Sequence, residues 1–262
     1  MRVSANLHFL FKESGGLLAR YEAAASAGFR LIETPNPYVE SAADVKTVLD
    51  KFGLQQDHIN SPGVDSESVG FACLPDKRRE FDESMRQALA YAKTLHCSKV
   101  HVLAGRPVGQ HLAVQYEQCY VDNLKSACEL AAAQGATVLI EPLSGVGRTT
   151  GYFLNSFDQA LGYVQQVGAP NLKVQLDVFH AQGLQGNLTG LLGKLGRHLG
   201  HVQAAQFPGR HEPGSEGELD FDYLFKELRN TGYEGVVAAE YVPTGLSTAA
   251  SLGWIQKFGL DF

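Results

Sequence analysis

Residues 174–183 read Val-Gln-Leu-Asp-Val-Phe-His-Ala-Gln-Gly, an apolar run that stops on Asp177, with His180 three residues further along. Such a run is typical of a buried strand that brings a carboxylate to its carboxyl end. A charged side chain is rarely buried without a partner or a metal ion. This strand end is therefore a candidate functional position.

Three other runs have the same form. Thr137-Val138-Leu139-Ile140 ends on Glu141, His201-Val202 leads to Gln203, and Val236-Val237-Ala238-Ala239 ends on Glu240. Four strands thus present four oxygen-bearing side chains at their carboxyl ends. In a barrel of parallel strands, that edge carries the active site.

Strands and helices alternate along the whole chain. We predict strands at 3–8, 29–33, 54–60, 99–103, 137–141, 172–177, 201–206 and 236–240. The helices are predicted at 17–27, 42–52 after a Ser41 cap, 76–95, 112–134, up to 167 after a Ser156 cap, 188–199, 223–231 and 246–258. Eight alternating pairs, without a linker or a repeat, predict a single (β/α)8 TIM barrel of class α/β over residues 1–262. An open doubly wound sheet is the alternative, but Asn6-Leu7-His8-Phe9 lacks its glycine-rich turn.

The composition is that of a globular domain. The chain has 262 residues, 44% hydrophobic and 19% charged, and barrels of this kind commonly run to about 250 residues. Lysine and arginine number 22 against 28 aspartates and glutamates, a formal charge of −6, with no basic run that would follow a phosphate backbone. Nucleic acid is therefore not an expected partner.

The sequence also indicates a compartment. The first residues lead straight into a predicted strand without a signal-peptide pattern, and no stretch of about 18 apolar residues occurs. Cys73, Cys97, Cys119 and Cys128 have no paired metal-ligand spacing. We expect a cytoplasmic protein with reduced thiols and no membrane partner. A homo-oligomer is compatible with the sequence, which shows no obvious seam.

The four strand-end residues favour a metal site. Glu141, Asp177, Gln203 and Glu240 would each offer oxygen, the ligand that hard divalent cations prefer. Magnesium or manganese suits this set better than zinc. Alone, Gln203 is typical of a hydrogen-bonding residue in a barrel wall, and Asp177 of a helix cap. Four such residues at one edge favour a shared divalent ion.

Further candidates lie beside these four. His180 is close enough to Asp177 to face the same cavity from the following loop, as a substrate contact. Arg210, just past Gln203, has the fork of donors that holds a carboxylate. Alternative anion contacts are Lys12, Arg106 and Arg148. The remaining strand ends carry Asn6, His8, Glu33, His58, Asn60 and His101, of which His58 is a candidate substrate contact.

The whole chain resembles the hydroxypyruvate isomerase family, within the xylose isomerase-like group of TIM barrels. The resemblance is carried by Ser4-Ala5-Asn6-Leu7, Val100-His101-Val102-Leu103-Ala104-Gly105, Ile140-Glu141-Pro142-Leu143, Gln175–Gln182, Gly186-Asn187-Leu188-Thr189, His201-Val202-Gln203, Arg210-His211-Glu212-Pro213 and Glu240-Tyr241. It implies that Glu141 and Glu240 are catalytic and pass a proton between adjacent carbons. It also implies that Asp177 and Gln203 complete the ligand set of the metal.

The implied reaction interconverts hydroxypyruvate and tartronate semialdehyde through an enediol. A four-carbon 2-oxo acid, as in a 2-oxo-tetronate isomerase, would fit the same logic. Similar ketose 3-epimerases usually have histidine where this chain has Gln203, which favours the isomerase branch. Other rivals are a metal-dependent DNA repair endonuclease of the same barrel group, against which the acidic charge argues, and a non-catalytic sugar-acid binder.

Overall fold

The computed structural model describes residues 1–63, 69–145 and 149–262. Its eight strands form a closed barrel in the order β1 to β8, every pair of neighbours being parallel. The barrel closes where Val3 of β1 pairs with Val237 of β8. The predicted (β/α)8 TIM barrel is confirmed. Arg148, one of the alternative anion contacts, lies outside the described residues.

The strands are short and buried. They are β1 Val3–Asn6, β2 Leu31–Glu33, β3 Gln55–Asn60, β4 Lys99–His101, β5 Thr137–Ile140, β6 Leu172–Asp177, β7 Leu199–Ala204 and β8 Val237–Ala239. Each observed strand begins and ends within two residues of the corresponding predicted strand. Because every strand runs the same way, the side chains that follow the eight carboxyl ends gather at one mouth of the barrel.

Helices surround the barrel. They are α1 Leu17–Ser26, α2 Ala42–Phe52, α3 Arg78–Leu95, α4 Ala113–Ala132, α5 Phe157–Val167, α6 Val178–Leu184, α7 Leu188–Leu195, α8 Phe221–Asn230 and α9 Trp254–Lys257. The helix α6 was not predicted. The predicted helix at 188–199 is shorter, and the one at 246–258 is wrong in extent, because only a 3-10 turn at 248–251 and α9 form there.

Local sequence explains where the helices begin and which face they bury. The hydroxyls of Ser41 and Ser156 accept hydrogen bonds from Asp44 N and Gln159 N, so both predicted caps are confirmed. Along α3, apolar residues recur every three or four positions, and this stripe is buried against the barrel. Its members are Phe81, Met85, Ala88, Leu89, Ala92 and Leu95.

Strand register places the polar side chains. Asp177 of β6 is the Cα partner of Gln203 of β7, and Glu33 of β2 is the partner of His58 of β3. Each of these pairs lies beside a register shift, at Val174/Gln175 and at Ile32/Glu33. All four residues are buried. The barrel interior therefore holds polar side chains that must find partners inside the protein.

The four cysteines all lie among the described residues. Cys73, Cys97, Cys119 and Cys128 are buried free thiols. Among the described residues, no helix is both long enough and apolar enough to cross a membrane.

Candidate active site

Four strands bring the predicted residues to one end of the barrel. Glu141 follows β5, Asp177 ends β6, Gln203 lies in β7 and Glu240 follows β8. Each is less than a tenth exposed. Ligand atoms of Glu141, Asp177 and His180 lie within 4.8 Å of one another, and Arg210 joins Asp177 to Glu240. The structure therefore assembles the residues that the strand-end pattern predicted.

Asp177 uses its two oxygens differently. Its Oδ1 accepts a hydrogen bond from Phe179 N at 2.8 Å and so caps α6. Its Oδ2 accepts one from Arg210 Nη2 at 3.0 Å. The predicted helix cap is thus confirmed, and the second oxygen of Asp177 stays turned towards Arg210. Because the cap begins α6 directly after β6, His180 is carried by a helix rather than by the expected loop.

Both ring nitrogens of His180 have a neighbour in the site. Ser144 N donates to His180 Nδ1 at 3.1 Å, and Ser144 Oγ lies 2.8 Å from the same atom. A backbone amide can only donate, so Nδ1 accepts from Ser144, while the guanidinium nitrogen Nη1 of Arg210, which also can only donate, lies 3.3 Å from Nε2. Burial lowers the pKa of His180 to about 4, which keeps the ring neutral near pH 7. His180 is therefore a neutral imidazole held between Ser144 and Arg210.

Arg210 is held over the carboxylates. Its Nη2 donates to Glu240 Oε1 at 2.6 Å and to Asp177 Oδ2 at 3.0 Å. The guanidinium lies between the rings of Phe9 and Phe179, 4.8 and 4.7 Å from their centroids. Although burial lowers the pKa of Arg210, the Asp177 and Glu240 carboxylates raise it above its ordinary value. Arg210 is thus a fixed positive charge at the mouth.

The loop that carries Arg210 is anchored by Gln206. The side-chain oxygen of Gln206 accepts from Phe207 N and Leu219 N, and its nitrogen donates to the carbonyls of Ser215 and Leu219. Four hydrogen bonds to one buried amide hold both ends of the loop. Gln206 was not predicted as a site residue, because an amide after a strand carries no signal of such a role.

Side-chain amides connect the carboxylates. Gln175 Nε2 donates to Glu141 Oε2 and to Gln203 Oε1, both at 2.8 Å. Gln203 Nε2 donates to Glu33 Oε1 at 2.5 Å and also to Glu240 Oε2. Asn6 Nδ2 donates to the same two carboxylates at 2.5 and 2.9 Å. One network thus joins both predicted catalytic glutamates. Sequence reasoning missed Gln175, and treated Asn6 and Glu33 only as weak strand-end candidates.

Burial makes the carboxyl groups of this network hard to ionise. It raises the pKa of Glu141 well above the ordinary value, and repulsion from Asp177 and Glu240 raises it further. Burial likewise raises the pKa of Glu240 strongly, while Arg210 lowers it. For Glu33, burial raises the pKa to about 7 although a hydrogen bond from Gln203 lowers it. A carboxyl group with a raised pKa holds its proton more readily than an exposed one, which suits it to proton transfer.

A second cluster lies on the other side of the barrel interior. It comprises Glu33, His58 and His201, whose ligand atoms also lie within 4.8 Å of one another. The rings of His58 and His201 are stacked, with centroids 5.1 Å apart and planes 17° apart. A metal ion binds an imidazole nitrogen in the plane of the ring, so two stacked rings do not point at one ion. This arrangement fits packing better than metal binding.

His58, a predicted substrate contact, belongs to this second cluster. It is fully buried, with the ring of His101 on its other side at 6.1 Å. Its Nδ1 lies 3.5 Å from Glu33 Oε2, and neither ring nitrogen has a hydrogen-bond partner among the described residues. Burial lowers its pKa well below the ordinary value. The structure thus encloses His58 between two imidazoles.

A groove of about 460 Å³ lies away from this site. Gly135 and Thr137 at the amino end of β5 and Asn171 at that of β6 line it, together with Lys125 and Cys128 of α4. It is at the opposite end of the strands from Glu141 and Asp177. In barrels of this kind the amino ends of the strands contribute to stability, whereas the carboxyl ends carry the chemistry.

Comparison with known proteins places the chain in a family. The model of the xylose isomerase-like TIM barrel matches residues 21–258, and the chain belongs to that family. It is 36% identical to hydroxypyruvate isomerase of Escherichia coli, over 98% of this chain and 99% of that protein. It is 38% identical to 2-oxo-tetronate isomerase of Cupriavidus necator, over 98% of both. Within the larger group the chain is a member of the hydroxypyruvate isomerase family, and it is an isomerase.

Solved structures agree on the fold. A structure described as AP endonuclease, family 2, from Brucella melitensis has a TM-score of 0.93 and 37% identity, with 98% of both chains covered. The 3-keto-D-glucoside 4-epimerase of Escherichia coli has a TM-score of 0.81 at 21% identity, over 98% and 99% of the two chains. The second likeness is one of fold alone.

Proposed function

We propose that the chain interconverts hydroxypyruvate and tartronate semialdehyde, with Glu141 and Glu240 as the catalytic acid and base. The observation that carries the proposal is the pairing of these two buried glutamates, both with strongly raised pKa values, beside Arg210 and His180 at one strand edge. The similarity to the Escherichia coli enzyme over nearly the whole chain supports the substrate.

The reaction moves a carbonyl between neighbouring carbons. One glutamate removes a proton from C3 of hydroxypyruvate, and the electrons of the C–H bond form the double bond of an enediol between C3 and C2. A proton is then returned to C2, while the hydroxyl proton at C3 is lost and the oxygen at C2 gains one. No atom enters or leaves. Either glutamate can be the base in one direction, and its partner is then the base in the other.

Arg210 and His180 would orient the substrate. The guanidinium has a fork of donors that matches a carboxylate, and the two phenylalanine rings hold its plane. His180 would contact the substrate through Nε2, because Ser144 occupies its other nitrogen. Both groups would bind the 2-oxo acid either at the end away from the carbon that loses its proton or next to that carbon. Neither group takes up the proton.

We also propose a divalent ion, magnesium or manganese, held by Glu141, Asp177, Gln203 and Glu240. The donor chemistry fits, because three carboxylates and an amide oxygen are hard ligands. The charge also fits, because three carboxyl groups, those of Glu141, Asp177 and Glu240, lie near the single guanidinium of Arg210, which pairs with Asp177 and Glu240. Such an ion would stabilise the negative charge that develops on an enediol.

A 2-oxo-tetronate is the second candidate substrate. The 38% identity to the Cupriavidus necator enzyme favours it, and the proton transfer would be the same. A ketose 3-epimerase would use the same two glutamates and return the proton to a different position. The similarity of this chain to solved epimerase structures, however, is a similarity of fold only. The DNA repair activity that the name of the Brucella melitensis protein suggests is disfavoured by the net charge of −6.

The test is proton NMR of metal-depleted protein with hydroxypyruvate in deuterated water, with and without magnesium or manganese. We expect tartronate semialdehyde that carries solvent deuterium, and faster conversion when metal is added. Conversion of a 2-oxo-tetronate but not of hydroxypyruvate would identify the four-carbon acid as the substrate. No turnover of either acid, together with cleavage of an abasic DNA duplex, would contradict the isomerase proposal for this site.

The proposed setting is the cytoplasm, with a small-molecule substrate. The four buried thiols without disulfides support a reducing compartment. Fractionation of cells that express the protein would test the location.

A further inference from the structure

We infer that Glu33 is a positioning residue that decides which end of the Gln203 amide faces the proposed metal ion. The inference rests on the proposed function, since Gln203 matters as a ligand only if that site binds an ion. No role for Glu33 follows from the proton transfer itself, because Glu141 and Glu240 provide the acid and the base. Its contacts are with the groups that hold those residues.

The orientation of the Gln203 amide is fixed from both sides. Its nitrogen donates to Glu33 Oε1 at 2.5 Å and to Glu240 Oε2, and its oxygen accepts from Gln175 Nε2 at 2.8 Å. A half-turn of the amide would place its oxygen against two carboxylate oxygens. It would also place its nitrogen against the nitrogen of Gln175, which Glu141 already holds as a donor. Only the observed orientation satisfies the network.

Glu33 is the fixed acceptor in this network. It is fully buried, and its Oε1 also accepts from Asn6 Nδ2 at 2.5 Å. Its Oε2 lies 2.6 Å from His201 Nε2, so both oxygens have partners. Glu240, by contrast, is a proposed ligand and proton carrier, and its contacts would change during turnover. Glu33 therefore holds the Gln203 nitrogen in a way that Glu240 alone does not.

The consequence for a metal ion is chemical. An amide oxygen can coordinate a hard cation, whereas an amide nitrogen has no available lone pair and presents its hydrogens. With the nitrogen held by Glu33, the oxygen of Gln203 faces Gln175, whose Nε2 also donates to the proposed ligand Glu141. Without that hold, the orientation with the nitrogen towards the ion becomes accessible.

The first variant is Glu33→Gln, studied by isothermal titration of the full-length, metal-depleted protein with manganese. The glutamine is nearly the same size but brings a nitrogen to a position where two amides and an imidazole converge, so it favours a reversed Gln203. We expect manganese affinity to fall about 10–100-fold, as for other residues that orient a ligand. Glu33→Asp keeps a carboxylate on a shorter side chain, so its manganese affinity should fall less. This second variant also tests the role of Glu33 if Glu33→Gln does not fold.

The matched control is Glu13→Gln. Glu13 also accepts two hydrogen bonds, from Thr248 N and Oγ1 at 2.6 and 3.1 Å, but has no contact with Gln203. The same change of carboxylate to amide there should leave manganese affinity within about twofold of wild type. Thermal unfolding of each variant checks that the fold is retained.

The decisive variant is the pair Glu33→Gln with Gln203→Glu. A carboxylate at position 203 has oxygen at both ends, so its orientation no longer matters, and the amide introduced at position 33 can donate to it. We expect the pair to bind manganese at least as tightly as wild type. Unchanged affinity in Glu33→Gln, or equal loss in the single and paired variants, would overturn the role of Glu33 alone. Failure of the wild type to bind manganese would overturn both this role and the proposed ion.

Discussion

The two sides of the barrel interior solve the burial of polar groups differently. On the side of β5 to β8, Glu141, Asp177 and Glu240 crowd together beneath Arg210. On the side of β2 to β4, the neutral rings of His58 and His101 stack one upon the other, and His201 of β7 extends the stack. The first side gathers like charges, whereas the second stacks neutral rings and pairs its opposite charges, Lys99 with Asp57 at 2.9 Å.

This difference separates chemistry from support. Gathering carboxylates costs stability, because each resists ionisation in the presence of the others, and such an arrangement persists where function requires it. Stacked neutral imidazoles fill the interior without this electrostatic cost. Glu33 lies at the border, in contact with His201 on one side and with Gln203 on the other. The comparison predicts large effects on turnover from the carboxylate side and small ones from the imidazole side.

The largest effect should come from Glu141→Gln and Glu240→Gln. Glutamine keeps the shape but cannot take up a proton from carbon, so we expect kcat to fall by about 10²–10⁴-fold in each variant. Stability should not decrease much, because a buried carboxyl with a raised pKa is already costly to ionise. Steady-state assay with hydroxypyruvate and circular dichroism of the same samples test both points. Near-normal turnover in both variants would remove the acid and base assignment.

The next effect should come from Arg210→Lys. Lysine keeps the charge but loses the planar fork that the rings of Phe9 and Phe179 sandwich. Loss of a charged hydrogen bond to a substrate carboxylate costs about 1.5–3 kcal/mol, so KM should rise roughly 10–100-fold. Arg79→Lys, at an exposed arginine paired with Glu83, is the matched control. An unchanged KM in Arg210→Lys would place the carboxylate elsewhere.

The sequence predicted the barrel and its strand-end residues because both depend on local pattern. Each apolar run had a clear end, and Glu141, Asp177 and Glu240 marked it. The structure brings those residues together with Gln203, as parallel strands require. Their roles in metal binding and proton transfer stay predictions until the variants are measured.

Features that depend on contacts across the barrel could not be predicted from the sequence. The partners of Glu33 come from β1 and β7, 27 and 170 residues away for Asn6 and Gln203. The helix α6 was missed because Asp177 ends a strand and caps a helix without an intervening turn. The last helix was predicted too long because its apolar pattern outweighed Gly253, the N-cap residue after which α9 begins.

The contributions of Glu33, at the border, and of His101, on the imidazole side, to the dependence of stability on pH should have opposite signs. The pKa of Glu33 is about 7 when buried, above its ordinary value, so the folded state binds more protons than the unfolded state between about pH 4.5 and 7. Glu33 thus favours folding as pH falls through that window. Burial lowers the pKa of His101 to about 3, so the unfolded state binds more protons below about pH 6.5. His101 thus disfavours folding on acidification.

Two variants separate these contributions. Relative to wild type, Glu33→Gln should lose stability more steeply between pH 7 and 5, and His101→Phe less steeply. Each should change the slope by up to about 1 kcal/mol per pH unit. Urea unfolding at pH 5, 6 and 7 with a chelator present measures both slopes. Changes of the same sign would show that the two sides do not differ in this respect.

The smallest effect should come from His58→Phe, which tests whether the imidazole side contacts substrate at all. Within the described part of the chain neither ring nitrogen of His58 has a hydrogen-bond partner, so a phenylalanine loses only the 3.5 Å approach to Glu33. The new ring can keep the stacking on His101 and His201, and we expect the free energy of unfolding to change by less than about 1 kcal/mol. Because His58 is fully enclosed, KM for hydroxypyruvate should stay within about twofold of wild type. A rise in KM similar to that of Arg210→Lys, at unchanged stability, would contradict this expectation. It would make His58 the substrate contact that its strand-end position suggests. His58 would then belong with the carboxylate side of the barrel interior.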